Sequence, residues 1–199
     1  RRVIARQDER EILTAMVSFQ VVESGFEHQL DFPDAPEPET LTPEQTLREE
    51  IRPLIPEERR EAMMKERAID IRPVHPVDLL EPEMCPPHRQ SWFRAKGALP
   101  EDSVLHRAIL AYASDFGFLA TSMQPHGLGF STPGVQVASL DHAIWFHRPL
   151  RVDDWLLYDM DSPSASSGRG MNRGTVFSRD GALVASVAQE ALIRQRERS

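Results

Sequence analysis

The sequence predicts an α+β fold in which an antiparallel sheet curls around one long helix. A single strong helical pattern covers residues 101–120, and strand-like runs of alternating apolar residues follow it. Asp180-Gly181 separates the last two runs, and this dipeptide is typical of a tight hairpin turn. Strands joined by short turns pair antiparallel, so these runs are expected to form one antiparallel sheet. The helix is expected to bury its apolar face against one face of that sheet.

The elements of this region follow from the spacing of apolar residues. On the predicted helix, side chains that recur every three or four positions form one face; they are Val104, Ala108, Ala111, Tyr112, Phe116 and Leu119, with Asp115 among them. Strands are predicted over residues 68–74, 91–96, 135–147, 155–161, 169–178 and 183–194.

Residues 1–22 predict a β-hairpin with a polar turn at residues 8–10. In its second strand one face carries Leu13, Ala15, Val17, Phe19 and Val21. A two-stranded hairpin is marginally stable alone, so these strands are expected to need a larger sheet.

Residues 33–67 are rich in Pro and Glu and predict a connection with helical pieces. Thr42 is expected to cap the first helix, with Pro43 at the first helical position and Gln45 reaching back. A second short helix is expected from Pro56 to Arg67.

Composition narrows the functional classes. The formal net charge of −8 argues against a general nucleic-acid binder, which needs basic patches. No apolar run approaches the roughly 20 residues of a membrane-spanning helix. The single cysteine, Cys85, cannot form an intramolecular disulfide, which favours a reducing compartment and predicts a cytoplasmic location.

Polar residues interrupt the apolar faces at three candidate positions. Asp115 lies on the apolar helix face, where an unpaired buried carboxylate is costly. Gln189 interrupts the row Leu183, Ala185, Val187, Ala191 and Ile193, and Ser139 lies within a strand. Together the three side chains could hold a water for attack on a carbonyl group. Structural alternatives remain: Asp115 bonded to backbone amides or exposed beyond the helix end, Gln189 at a sheet edge, and Ser139 as buried filler.

Other candidate sites have weaker support. No Gly-x-Ser-x-Gly motif indicates a serine nucleophile. Cys85 and His88 lack further metal ligands nearby, and His142 and His147 fall on opposite faces of one predicted strand, so we predict no metal and no cofactor. Arg169 and Arg173 share a strand face and could bind phosphates, or could simply be solvated.

A series of ordered segments carries a resemblance to a known family. The segments are Leu110–Asp115, Met123–Gly127, Gln136–Pro149, Asp154–Tyr158, Ser162–Gly170 and Leu183–Glu190, with Ser18–His28 at the front. Through them the chain resembles the acyl-CoA thioesterase II (TesB-like) family along its whole length.

The resemblance implies hotdog domains, in which an antiparallel sheet wraps a long helix, and hydrolysis of acyl-CoA to a fatty acid and CoA. The family uses an Asp, a Thr or Ser, and a Gln to orient water; by motif position these become Asp115, Ser139 and Gln189. Ser139 stands where the family often has Thr, and so lacks the methyl group that restricts the rotamer. The implied partners are an acyl-CoA substrate and further copies of the chain in a homo-oligomer.

The family also implies a domain organisation. We expect residues 1–32 to be the C-terminal strands of an incomplete first hotdog domain, residues 33–67 a linker, and residues 68–199 a complete hotdog domain. Two alternatives remain open. A hotdog hydratase would need a paired Asp and His, whereas the adjacent Asp141 and His142 are expected on opposite strand faces; a non-catalytic acyl-CoA-binding protein would bind without turnover.

Overall fold

The computed structural model describes residues 1–195 and has the predicted α+β class. We number the helices and strands in chain order. They are β1 Arg2–Gln7, β2 Arg10–Met16, α1 Glu44–Ile51, α2 Glu57–Met64, β3 Ile69–Pro73, β4 His88–Ala95, α3 Ser103–Ala113, α4 Phe118–Met123, β5 Val135–Ser139, β6 Ala143–Phe146, β7 Leu156–Ser166, β8 Arg169–Ser178 and β9 Leu183–Gln195.

An antiparallel sheet forms the body of the structure in the order β3-β4-β7-β8-β9-β5, and β6 pairs with β9 beside β5. Its inner face packs against α3 and α4. The apolar core between them includes Phe93, Leu110, Phe118, Tyr158 and Val187. On the outer face, a second cluster contains Trp92, Trp155, Leu157, Phe177 and Leu183.

The predicted single helix over residues 101–120 is wrong, because the structure has two helices separated by a turn. Asp102 caps α3 by accepting hydrogen bonds from the amides of Val104 and Leu105, and α3 ends at Ala113. Gly117 adopts a left-handed conformation (φ 74°) that ends the turn before α4. Asp115 consequently lies on the turn and is exposed, not buried on a helix face. The predicted apolar face is also wrong on α3, because Val104 and Tyr112 are exposed, at 70% and 62%, while Leu110 and Ala113 face the core.

The predicted strand over residues 135–147 is also interrupted. β5 ends at Ser139 and β6 begins at Ala143, and both strands pair with β9. In the gap, a carboxylate oxygen of Asp141 accepts a hydrogen bond from the Glu190 amide at 2.8 Å. Ser139 is therefore an exposed strand end, not a buried core residue.

The apolar row on β9 differs from the prediction at its beginning. A register shift between β8 and β9 lies at Val176 and Phe177, so Phe177 pairs with Leu183 while Val176 pairs with Ala185. This extra residue turns Leu183 to the outer cluster, whereas Ala185 and Val187 belong to the inner core.

Residues 29–41 cross the outer face of the sheet; we call them the strap. Phe32 packs edge-on against Phe177 with ring centroids 5.6 Å apart. The indole nitrogen of Trp92 donates to the Pro36 carbonyl at 2.8 Å, and Arg72 donates to the Pro38 carbonyl at 2.8 Å. Much of the Pro-rich segment is thus held against the sheet.

The helices that follow the strap begin and end differently from the prediction. Pro43, not Thr42, is the N-cap of α1, without a side-chain cap, and Gln45 bonds to Glu49 instead of reaching back. The extended ψ of Pro43 (140°) excludes it from the helix. α2 ends at Met64, before Arg67, whose guanidinium stacks on the ring of Phe116 at 4.6 Å.

The predicted N-terminal hairpin is present as β1 and β2, which pair only with each other in the part of the chain that the structure describes. The second strand ends at Met16, so Val17, Phe19 and Val21 continue beyond it. These side chains are exposed, at 77% for Phe19 and 80% for Val21. No helix within residues 1–195 is long and apolar enough to cross a membrane.

Candidate active site

Gln189 lies on the internal strand β9 with its side chain on the inner face. β9 has β8 on one side and β5 and β6 on the other, so Gln189 is not at a sheet edge. The residue is fully buried between the similarly buried Val187 and Ala191. Its amide nitrogen donates a hydrogen bond to the Ser139 hydroxyl at 2.6 Å. The polar group that interrupts the apolar row therefore has a defined partner.

Ser139 links this amide to the turn between the two helices. As the last residue of β5 it pairs with Ala191, which brings its hydroxyl beside Gln189. The Ser139 hydroxyl donates in turn to a carboxylate oxygen of Asp115 at 3.5 Å, a long contact. Long contacts between such groups are common before a substrate binds.

A hydrogen bond from Tyr158 holds the turn that carries Asp115. The Tyr158 hydroxyl donates to the Ser114 carbonyl at 3.0 Å. Burial raises the pKa of Tyr158 well above its usual value, and the negative charge of Asp115 raises it further, so the hydroxyl keeps its proton. Gly174 makes room for the ring, because a Cβ there would lie 2.4 Å from Tyr158 Cε2. The backbone beside Asp115 is thus held in place.

The hydrogen bonds in this cluster run in one direction. The Gln189 amide donates to Ser139, Ser139 donates to Asp115, and the carboxylate can only accept. Asp115 is exposed, so water can reach the end of the chain of bonds. The three residues predicted from sequence are therefore brought together.

The prediction missed His142, which contacts the same cluster. His142 Nδ1 lies 2.7 Å from the Gln189 amide oxygen, and Nε2 lies 2.8 Å from the Ser114 hydroxyl. His147 instead bonds to the Ser186 hydroxyl at 2.8 Å. The two histidines do point to opposite faces, as predicted, but they flank β6 and do not share a strand. No sequence signal distinguished His142 as the one beside Gln189.

Arg169 and Arg173 lie apart from the cluster. Each has an acidic partner: Arg169 pairs with Glu190 at 3.1 Å, and Arg173 pairs with Asp161. They alternate along β8 with Asn172, the residue opposite Gln189 in the register, so neither belongs to the row that faces Gln189. Their role in binding substrate stays a prediction.

A small apolar core cluster lies beside Ser139 and Gln189, between α4 and the inner face of the sheet. It consists of Leu119, Met123, Leu128, Val137, Ala191 and Ile193. Leu128 and Ile193 also line a cavity of about 340 Å³, whose other lining residues include His126, Val135, Arg169 and Arg194. The cavity does not include Asp115, Ser139 or Gln189; the apolar core cluster lies between the two regions.

Metal ligands are not grouped in the part of the chain that the structure describes. Within residues 1–195, no cluster of three or more His, Cys, Asp or Glu side chains could hold a metal ion. The Cys85 sulfur lies 2.9 Å from the Gln124 amide nitrogen. Gln124 follows α4 in the chain, whereas Asp115 precedes it.

The curled antiparallel sheet and its two inner helices define a hotdog-fold protein. A hotdog protein from Alicyclobacillus acidocaldarius superposes with a TM-score of 0.61 over 89% of this chain and 60% of that one, at 18% identity. The chain belongs to the acyl-CoA thioesterase family, whose model matches residues 59–192.

Relatives in this family are similar over nearly the whole chain. Acyl-CoA thioesterase 2 of Haemophilus influenzae is 38% identical over 96% of this chain and 67% of its own length. Acyl-coenzyme A thioesterase 8 of Homo sapiens is 35% identical over 98% of this chain and 63% of its own. The crystal structure of an acyl-CoA thioesterase II from Mycobacterium marinum has 39% identity and a TM-score of 0.69 over 89% of this chain and 61% of that one. The chain thus spans about two-thirds of the length of its relatives.

Proposed function

We propose that this chain hydrolyses acyl-CoA thioesters with a water molecule oriented by Asp115, Ser139 and Gln189. The observation that carries the proposal is the directed pair of hydrogen bonds from Gln189 through Ser139 to the exposed Asp115 carboxylate. A general base must lie within reach of the proton that it removes, and this carboxylate is accessible to water. Membership of the acyl-CoA thioesterase family supports the same chemistry.

The proposed reaction needs only these groups and water. Water bound to Asp115 loses a proton to the carboxylate while its oxygen bonds to the thioester carbonyl carbon. The tetrahedral intermediate then collapses, the carbon–sulfur bond breaks, and the CoA thiolate takes the proton from Asp115. The products are a free acid and CoA. Ser139, held by the buried Gln189 amide, keeps the attacking oxygen in line with the carbonyl, which lowers the entropic part of the barrier.

The apolar side chains Leu128, Val135 and Ile193, which line the cavity, favour a fatty acyl group. Val137, Ala191 and Ile193 lie on the strands that carry Ser139 and Gln189 and lead towards the cavity. Arg169 and Arg194 at that cavity carry positive charge suited to the phosphates of CoA. We therefore retain Arg169 as a proposed phosphate contact. Arg173, which does not line this cavity, is the weaker of the two arginines.

The test is release of the CoA thiol from acyl-CoAs of several chain lengths by the wild type and by Asp115→Asn. We expect kcat to fall by about 10²–10⁴-fold, because the variant keeps the shape of the side chain but cannot accept the proton. Asp141→Asn is the matched control: an Asn oxygen can still accept from the Glu190 amide, so activity should stay near wild type. Full turnover in Asp115→Asn would refute the proposal.

The two alternative functions give different results in this assay. A hydratase would hydrate an unsaturated acyl-CoA without releasing CoA, with a histidine moving the proton. Both ring nitrogens of His142 already have protein partners, which disfavours that role. A non-catalytic binder would bind acyl-CoA without turnover, and Asp115→Asn would leave its affinity unchanged.

We also propose that the chain forms a homo-oligomer. The β1–β2 hairpin exposes apolar side chains such as Ile12 and Leu13, at 59% and 54%, and its edges are open within the described residues. Open edges and exposed apolar side chains favour association with another chain. Light scattering at several protein concentrations would test this, and a monomer at all of them would exclude it.

A further inference from the structure

We infer that His142 is a positioning residue that fixes the orientation of the Gln189 amide, so that its nitrogen, not its oxygen, faces Ser139. The inference rests on the function proposed above. It assigns a role in the reaction to a residue that need not touch the substrate.

The Gln189 side chain could be turned in two ways, because an amide has nearly the same shape after a half-turn. With the nitrogen towards Ser139, the amide donates to the hydroxyl and leaves the hydroxyl proton for Asp115. With the oxygen towards Ser139, the hydroxyl would donate to Gln189 instead. Asp115 would then lose its contact with the Ser139 proton, and the chain of bonds would no longer end at the carboxylate.

His142 decides between these orientations. Its Nδ1 lies 2.7 Å from the Gln189 amide oxygen, and a protonated Nδ1 can only donate. The amide oxygen is therefore held towards His142 and the nitrogen towards Ser139. Asn172, opposite Gln189 on β8, makes no side-chain hydrogen bond within residues 1–195 and does not compete for the amide.

Ser114 contacts the other nitrogen of the ring. His142 Nε2 lies 2.8 Å from the Ser114 hydroxyl, which also lies 3.0 Å from the Ala111 carbonyl. In a neutral ring with the proton on Nδ1, Nε2 accepts from Ser114. In a charged ring Nε2 donates to Ser114, which then donates to Ala111. Nδ1 donates to Gln189 in both of these states, whereas a neutral ring with its proton on Nε2 would offer Nδ1 as an acceptor and favour the reversed amide. The nitrogen of Gln189 therefore faces Ser139 only while Nδ1 carries a proton.

Packing restricts the ring as well. The Phe118 ring meets the imidazole edge-on, with centroids 6.1 Å apart and planes at 77°. Because Ser114 and Asp115 are consecutive on one turn, His142 and Asp115 are attached to the same short piece of backbone. The first and last members of the hydrogen-bonded chain are thus fixed relative to each other.

Two substitutions of similar size separate positioning from a general effect on folding. The side-chain nitrogen of His142→Asn is as many bonds from Cα as Nδ1 and can still donate to Gln189. The nitrogen of His142→Gln is one bond further out and suits Ser114 instead. We expect His142→Gln to lower kcat about 10–100-fold with little change in KM, and His142→Asn to stay within about fivefold of wild type.

Three controls accompany this pair. His147→Gln changes a histidine that bonds to Ser186 on the other face of β9 and should stay within about twofold. Thermal unfolding of each variant reports on folding. The pH–rate profile of His142→Asn should have the same shape as that of the wild type, because His142 transfers no proton in the reaction; a changed shape would overturn the inference.

NMR of the Gln189 side-chain amide gives a readout that is independent of turnover. In the wild type its NH₂ protons should show cross-relaxation to the Ser139 β-protons, and His142→Gln should weaken it. Equal kcat values for the Asn and Gln variants, or an unchanged amide signal in His142→Gln, would refute positioning. Correct amide signals with no turnover in the wild type would instead refute the proposed hydrolysis and leave the orientation intact.

Discussion

Strands β2 and β9 have the same kind of sequence and very different surroundings. Both alternate apolar and polar residues, yet Ala185 and Ala191 on β9 have no exposed surface, while Ile12 and Leu13 on β2 are more than half exposed. β9 has neighbours on both sides and helices above it, whereas β2 pairs only with β1 within the described residues. An alternating pattern therefore specifies a strand, but the burial of its apolar face depends on what packs against it.

The outer face of the sheet shows how such a surface is covered within one chain. The strap brings Phe32 against Trp92 and Phe177, and an ion pair between Arg179 and Glu39, at 2.8 Å, fastens its far end. The hairpin has no equivalent cover within residues 1–195. This difference can be tested by placing the same substitution in each region.

The largest difference is expected for removal of one leucine side chain. Leu110 on α3 is fully buried, whereas Leu13 on β2 is 54% exposed. Leu110→Ala should lower the free energy of unfolding by about 2–5 kcal/mol, because it removes buried surface and leaves a cavity. Leu13→Ala should cost less than about 1 kcal/mol. Urea denaturation followed by tryptophan fluorescence measures both; equal losses would show that the hairpin face is buried in solution.

A smaller difference is expected for glycine. A Cβ at Gly174 would press on the Tyr158 ring, whereas at Gly25 it would meet nothing within 4 Å. Gly174→Ala should destabilise the protein by about 1–3 kcal/mol and shift the turn that carries Asp115. Gly25→Ala should change stability by less than about 1 kcal/mol. Both can be compared by thermal unfolding and thiol release, and an active, stable Gly174→Ala would contradict the described contact.

The smallest difference concerns acid stability. Burial alone would raise the pKa of Asp153, but hydrogen bonds from the Leu99 amide and from Arg151 outweigh it, so the pKa is below its usual 3.8. A group with a lowered pKa in the folded state stabilises the fold above its unfolded pKa, and this contribution is lost as pH falls through the folded value. The free energy of unfolding of Asp153→Asn should therefore decrease less steeply than that of the wild type as the pH falls below about 4.

The matched change in the hairpin is Glu11→Gln. Glu11 forms an exposed ion pair with Arg6 at 2.7 Å, and such pairs contribute about 0–1 kcal/mol. Its removal should leave the dependence of stability on pH close to that of the wild type. Denaturation at a series of pH values from about 2 to 7 compares the two variants; the same acid response in both would remove the distinction drawn from burial.

The sequence predicted the candidate site better than it predicted the elements that carry it. Gln189 stood out because an amide interrupts an apolar strand face, and that reasoning holds in the structure. Asp115 was selected for a different reason, as a carboxylate buried on a helix face, whereas it lies exposed on a turn. The three- and four-residue spacing selected the solvent side of α3, where Val104 and Tyr112 are exposed, while Leu110 and Ala113 pack on the core, so periodicity showed neither the buried face nor the break.

Local rules also misplaced several boundaries. The capping box at Thr42 was not formed, since Pro43 takes an extended conformation and α1 begins after it. The strand containing Ser139 was predicted to continue to His147, but the chain breaks between β5 and β6 while both stay paired to β9. Boundaries depend on hydrogen-bond partners elsewhere in the chain, which local propensity does not specify.

The sequence by itself determined the α+β class, the order of the strands along the chain and the residue types of the candidate site, because periodicity and motif order are properties of neighbouring residues. Only the tertiary structure decided that Asp115, Ser139 and Gln189 meet and that His142, not His147, joins them. It also decided which apolar faces are covered. The strap covers the outer face of the sheet, whereas no segment within residues 1–195 covers the hairpin. These outcomes depend on contacts between distant segments, whose geometry is set by the register of β9 with β5, β6 and β8.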